Sequence, residues 1–245
     1  QKIAVQAARK AGALIAERFP TRRSVTKKGM RDIVTETDVA AESLIIDLIH
    51  RHFPGHAILS EEAGSQNAHP GEQVTWIIDP LDGTTNYAHR IPFCCVSIGV
   101  FAQGQPIVGV VYDPLHDQLF AAERGKGATL NGRPLHVRSE TPLEQAVIGL
   151  DWGHVDEERQ RTIALLTQFI FRCRTVRALG SAALAQAYVA AGWLDGYLNL
   201  IAKPWDMAAG MLLVTEAGGR HTVLNHQDRS VGRMLGCLAT NGAIH

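Results

Sequence analysis

Asp79 and Asp82 stand three residues apart at the end of an apolar run, Trp76-Ile77-Ile78, and are followed by Gly83-Thr84-Thr85-Asn86-Tyr87. Carboxylates at the end of an apolar strand are exposed, hard donors. Pro80 fixes the backbone between them, so Asp79, the Leu81 carbonyl and Asp82 can converge as oxygen ligands of the kind Mg²⁺ accepts. Gly83 lets backbone approach a ligand closely, and the following turn can open a helix whose free N–H groups hold a phosphate. The plainer alternative is a capped turn in which both aspartates accept backbone N–H bonds. The full dozen residues favour the metal-and-phosphate loop.

Further acids stand at comparable places. Ser60-Glu61-Glu62 follows a short β-like run, residues 57–59, which puts Glu61 at a strand end where it can complete a metal site; a solvated acidic face is the alternative. Asp38 stands just ahead of an apolar helical pattern, where an N-cap aspartate bonds first-turn amides. Lys203-Pro204-Trp205-Asp206 opens a small-residue helix, so Asp206 can cap it or bind metal. Gly180-Ser181-Ala182-Ala183 starts another helix that either packs tightly or offers amides to a substrate.

The elements that must position these residues can be read from periodicity. Residues 3–19 predict an Ala-rich helix closed by Pro20, and residues 38–53 predict a second helix with Leu44, Ile45, Leu48 and Ile49 on one face. Between them residues 21–31 are basic and aperiodic, which predicts a loop and a candidate mobile segment. Strands are expected at 57–59, 74–78, 93–101, 106–112 and 118–122, with a hairpin at Gln103-Gly104. Beyond Asn131-Gly132 strand and helix alternate: strands at 147–150, 175–177 and 196–201, helices at 155–171, 181–191 and 204–217, and strands near Thr222 and Gly236. Two lobes follow from this change of texture: residues 1–132, carrying most of the acids, and residues 133–245, carrying the substrate pocket and Asp206. Helices first, a strand meander next and alternation last predict stacked layers, an α+β architecture.

Composition bounds the function. With 24 Lys plus Arg against 24 Asp plus Glu the chain carries no net charge, which disfavours a nucleic-acid partner. The longest apolar run, residues 93–102, is broken by Ser97 and Gly99 and is too short for a membrane helix. Cys94, Cys95, Cys173 and Cys237 form no disulfide framework or CxxC pair, and they read as buried thiols in a reducing cytoplasm. A start at Gln1 and an end at His245 suggest trimmed termini.

Taken together, the WIIDPLDGTTNY run, the KPWDMAAG helix followed by Glu216-Ala217-Gly218-Gly219, and the order of Asp32 to Asp38 and Glu61-Glu62 resemble the inositol monophosphatase family of Mg²⁺-dependent, lithium-sensitive phosphatases. The resemblance covers essentially the whole chain and implies an αβαβα sandwich. It implies that Glu61, Asp79, the Leu81 carbonyl, Asp82 and Asp206 hold two or three Mg²⁺ ions. It further implies that Gly83, Thr84 and Thr85 bind phosphate, that Ser181, Ala182 and Asn199 contact the substrate, and that Lys27 sits near the weakest metal site. Asp38 and Thr84, with Glu61, form the implied catalytic set: they orient and deprotonate the water that attacks phosphorus in line.

Inositol-preferring members carry glutamate where this chain has Asn199, and a family serine near the substrate corresponds to His154. A neutral Asn lacks the charged acceptor, and charge-assisted bonds are roughly twice as strong as neutral ones. The expected activity is hydrolysis of a small phosphorylated polyol, sugar or related metabolite of the inositol 1-phosphate type. Histidinol phosphate, fructose 1,6-bisphosphate and nucleotide 3′-phosphates are alternatives within the family. A different class, a regulatory partner of the transcription machinery, is the other reading. A cytoplasmic homodimer is the implied state.

Overall fold

Buried alanines and isoleucines set the first layer. In the computed structural model, which describes residues 1–21, 24–66, 74–139, 141–224 and 235–245, helix α1 (Lys2–Arg18) buries Ala4, Ala7, Ala8, Ala11 and Ile15 along one face. Helix α2 (Glu36–His52) buries Ala41, Ile45, Leu48 and Ile49 in the same way. The link between them is only partly the expected loop. Strand β1 (Val25–Lys27) pairs antiparallel with β2 (Ile33–Thr35), aligning the β-branched Thr26 with Val34. Arg22 and Arg23 of the basic stretch lie outside the described residues.

The next strands are β3 (Ala57–Ser60), β4 (Gly64–Gln66) and β5 (Val74–Asp82), followed by the short helix α3 (Thr84–Ala88). A meander comes after it: β6 (Cys95–Ala102), β7 (Gln105–Asp113), β8 (Gln118–Glu123), β9 (Ala128–Leu130) and β10 (Arg133–Pro134). Among the described residues these make one sheet in the order β10-β9-β8-β7-β6-β5-β3-β4. The hairpin at Gln103-Gly104 forms, with both residues at positive φ (51° and 72°), the geometry that a two-residue turn between twisted strands requires.

The second half alternates as its pattern predicts: β11 (Val147–Leu150), α4 (Asp156–Phe169), β12 (Thr175–Ala178), α5 (Ala182–Ala190), β13 (Gly196–Ala202), α6 (Pro204–Glu216), β14 (Arg220–Leu224) and β15 (Leu235–Thr240). Its sheet runs β12-β11-β13-β15-β14, with β11 parallel to β12 and β13.

Packing stacks these elements. Helices α1 and α2 cover one face of the first sheet; α5 and α6 lie between the two sheets; α4 packs on the second sheet through β13. The result is an αβαβα sandwich. One core joins α1 and α2 to the first sheet through Ile15, Ile45, Ile78 and Tyr87. A second joins Cys95, Val111 and Phe120 of the first sheet to Leu184, Leu213 and Tyr197 of the later elements. Helix α6 lies so close to the meander that a Cβ on Gly109 would stand 2.6 Å from the Ala209 carbonyl oxygen. Cys94, Cys95 and Cys237 are buried, Cys173 is partly so, and all four are free thiols.

Candidate active site

Residues three apart on a regular strand point to opposite faces. In β5 the ladder to β6 shifts between Asp79, opposite Ser97, and Asp82, opposite Cys95. Three steps along β5 thus match two along β6. Pro80, which lacks the N–H that a regular ladder needs, lies within this bulge, and the extra residue brings both carboxylates to line one cleft of about 510 Å³. Strand β3 runs parallel to β5 with Ser60 beside Ile78, so Glu61 emerges next to Asp79. The turn carrying Glu61 is held from below by buried Glu42, which accepts bonds from the Ser60 hydroxyl and from the Glu62 (3.0 Å) and Ala63 (3.1 Å) amides. Asp206 arrives from the first turn of α6, where its carboxylate accepts the Lys203 amide at 2.7 Å. It thus has the capping role that the sequence offered, and it also lines the cleft.

The four acids strain one another electrostatically. Burial, then the Glu61, Asp82 and Asp206 charges, hold Asp79 well above the usual carboxylate range. Burial and then Asp82 do the same to Asp206, while burial raises Glu61 against the pull of Lys28. The base beside Glu61 is therefore Lys28, not Lys27: its Nζ lies 3.1 Å from Glu61 and 2.7 Å from Glu62. Lys27 is exposed on β1. Burial works against the Lys28 ammonium, but the two glutamates push its pKa above the ordinary lysine value.

Asp82 is engaged elsewhere. Its oxygens accept the Ser181 hydroxyl (2.6 Å) and the Ala182 (3.1 Å) and Ala183 (2.7 Å) amides, so it satisfies the open end of α5. Ser181 is buried with its hydroxyl on Asp82, and the amides at this helix start face an acid of the protein; Ala182 still lines the cleft. No three His, Cys, Asp or Glu side chains among the described residues are gathered tightly enough to grip an ion as they stand. The donor chemistry nonetheless fits a hard divalent cation. Four carboxylates and a carbonyl share the cleft, burial and the neighbouring acids hold Asp79 well above the usual carboxylate range, and the ammonium of Lys28 already occupies a cation's place on Glu61.

Asp38 does not cap α2. Thr35 does, and Asp38 is the third helical residue of a capping box, its carboxylate accepting the Thr35 amide at 3.0 Å. Its other oxygen accepts the Thr84 hydroxyl at 2.8 Å, and that hydroxyl also lies 3.0 Å from the Leu81 carbonyl. Burial raises the Asp38 pKa. Gly83 precedes α3 at φ 94°, where a Cβ would stand 2.9 Å from the Phe93 carbonyl, so only glycine fits. Gly83, Thr84, Thr85 and Asn199 all line the cleft. His154 does too, clasped to the β1–β2 link: Arg31 donates to its carbonyl (2.8 Å) and to Asp156 (2.7 Å). Sequence reasoning missed Glu42, Lys28 and Asp151, the last a cleft residue bonded to Tyr197 and Gly180.

The sequence that builds this cleft is matched along residues 1–245 by a family model described as the inositol monophosphatase family. The chain belongs to that family. It is 43% identical over 223 residues to inositol monophosphatase 2 of Solanum lycopersicum, covering 89% of this chain and 84% of that one. It is 45% identical over 220 residues to Nus factor SuhB of Escherichia coli K12, covering 89% and 82%. The crystal structure of extragenic suppressor protein suhB from Bartonella henselae superposes with a TM-score of 0.90 at 36% identity, covering 98% and 93%. The family member described here is a phosphoric monoester hydrolase, and no helix among its described residues is long and apolar enough to cross a membrane.

Proposed function

We propose that the protein is a Mg²⁺-dependent, lithium-sensitive phosphatase of small phosphorylated polyols, sugars or related metabolites, working in the cytoplasm as a homodimer. The observation that carries this reading is the convergence of Glu61, Asp79, Asp82 and Asp206 on the cleft that also holds the Thr84–Asp38 pair. Glu61, Asp79, the Leu81 carbonyl, Asp82 and Asp206 would hold two or three Mg²⁺ ions. Bound there, such ions neutralise phosphate charge, stabilise the leaving oxygen and acidify water.

The chain's own residues supply the rest. The Gly83, Thr84 and Thr85 segment receives the phosphate, with Gly83 allowing backbone to come close. Thr84 gives its proton to Asp38 and so keeps its oxygen lone pairs free to take a proton from the attacking water; Asp38 ends with the proton. Burial suits Asp38 to this, since a raised pKa makes a stronger base. Ser181 acts through Asp82, holding that carboxylate in place, and Ala182 and Asn199 face the alcohol half of the substrate.

Phosphate release from inositol 1-phosphate, histidinol phosphate, fructose 1,6-bisphosphate and adenosine 3′,5′-bisphosphate, with Mg²⁺ and with EDTA, tests the reading. Release only with Mg²⁺ is expected; equal release in EDTA would sink the metal assignment. The similarity to a Nus factor favours a second role beside catalysis, as a partner of the transcription machinery. Binding to transcription complexes by a variant lacking activity would separate the two.

A further inference from the structure

The metal and phosphate machinery leaves two cleft carboxylates unused, Asp32 and Asp151, and of these Asp151 is the one bonded to the Tyr197–Asn199 pair. Asp151 follows β11 and lines the cleft together with Asp82 and His154. One of its oxygens accepts the Gly180 amide at 3.1 Å and the other the Tyr197 hydroxyl at 2.6 Å. Tyr197 is fully buried and cannot touch a ligand. Its oxygen in turn accepts an N–H of Asn199 at 3.3 Å, and the Asn199 carbonyl oxygen accepts the Ile201 amide at 2.8 Å. Every bond in this row points toward Asp151, which ends it as the acceptor. Each Asp151 oxygen keeps lone pairs beyond the bond it accepts, and Asn199 keeps a second N–H. No ion pair among the described residues includes Asp151, and burial pushes its pKa up to about 6.

A wall that pairs a charged acceptor with an amide donor suits a group that both donates and accepts. A hydroxyl does both; an ammonium offers no acceptor and a second phosphate no donor. We infer that Asp151 determines specificity by accepting hydrogen bonds from hydroxyls on the alcohol half of the substrate, beside Asn199. The inference rests on the phosphatase reading above and adds a specificity-determining residue to that site.

The test is the ratio of kcat/KM for inositol 1-phosphate to that for p-nitrophenyl phosphate, whose aryl group carries no hydroxyl, measured with Mg²⁺. Asp151→Asn is expected to lower this ratio by about tenfold or more, because a charged acceptor becomes neutral. Asp151→Ser, which keeps a hydroxyl toward Gly180, should lower it as well and covers the case in which asparagine disturbs the wall. Tyr197→Phe removes a support of Asp151 but not its charge, and the ratio should stay within about twofold of wild type. A merely structural role for Asp151 predicts equal losses on both esters in all three variants, and an unchanged ratio in the Asp151 variants overturns the inference. Wild-type turnover of p-nitrophenyl phosphate with no preference for hydroxyl-bearing esters overturns it too, with the phosphatase reading intact. No release from either ester would sink that reading itself.

Discussion

Among the described residues Asp79 accepts one hydrogen bond, from the Leu81 amide at 3.1 Å, whereas Asp82 accepts three from the start of α5. Asparagine should therefore act differently at the two positions. Asp79→Asn keeps an oxygen for Leu81 and removes a buried charge that repels three neighbours, so stability should hold or rise while activity falls. The fall should exceed 100-fold, since even outer partners of metal ligands are worth about 10–100-fold. Asp82→Asn puts an NH₂ among N–H and O–H donors and leaves at least one unpaired, costing about 1–3 kcal/mol in addition to activity. Thermal unfolding beside phosphate-release assays checks both; equal Tm values for the two variants would contradict the hydrogen-bond argument. At this scale the DPLDGTT run announced the acids by type and order. It did not announce that Asp82 caps a helix 99 residues further on.

At the scale of elements, helix α6 both carries Asp206 and fills the space between the sheets. Gly109→Ala would press a methyl group onto the Ala209 carbonyl and should cost about 1–3 kcal/mol by overpacking. A Tm equal to wild type would show that α6 can shift freely. A subtler tie is Gln186, whose amide N–H₂ donates to the Ala182 (3.0 Å) and Asp206 (2.8 Å) carbonyls and whose oxygen lies 3.1 Å from His221 Nε2. It joins the first turns of α5 and α6, and so the surroundings of Asp82 and Asp206. Gln186→Leu should lower Tm by leaving His221 without its partner, a loss of about 1–3 kcal/mol, and should raise the Mg²⁺ concentration needed for half-maximal activity. Unaltered Tm and Mg²⁺ requirement would dismiss the tie. The long elements were legible because apolar period and Pro or Gly stops are local. Strands β4, β9 and β10, of three residues or fewer, carry too few positions for a period to show. Gln186 was silent because one polar residue in an Ala-rich helix looks like solvent exposure until two helices close over it.

For the whole molecule the raised carboxylate pKa values predict how stability varies with pH. An acid whose pKa is higher in the folded than in the unfolded protein contributes stability below its unfolded pKa, near 4, and loses it as pH rises through the folded value. Asp79, Asp206 and Glu61 all shift in that direction. Without divalent ions, then, these groups destabilise the fold progressively above about pH 4, and a bound cation should reverse the effect. His221, pushed down to about 4 by burial, acts oppositely between there and its ordinary value. That contribution is the same with and without metal, so the readout is the difference in Tm between Mg²⁺ and EDTA. The difference should grow as pH rises from 5 to 8; a constant or shrinking difference would refute the electrostatic account. Unfolding should be a single transition, because the second core is built from residues of both halves.

Residue type and local spacing determined that this chain carries a strand ending in two acids, a glycine turn after it and a third acid at a helix start. They also determined the helices and longer strands that hold these parts, since turns, caps and amphipathic faces depend on neighbours a few residues away. The tertiary structure decided what those parts meet. The bulge at Pro80 turned Asp79 and Asp82 into one cleft, the β1–β2 ribbon brought Lys28 rather than Lys27 to Glu61, and packing of β11 beside β13 set Asp151 next to Tyr197 and Asn199. Such contacts join residues tens of positions apart, and their geometry follows from how whole layers stack, which no local pattern encodes.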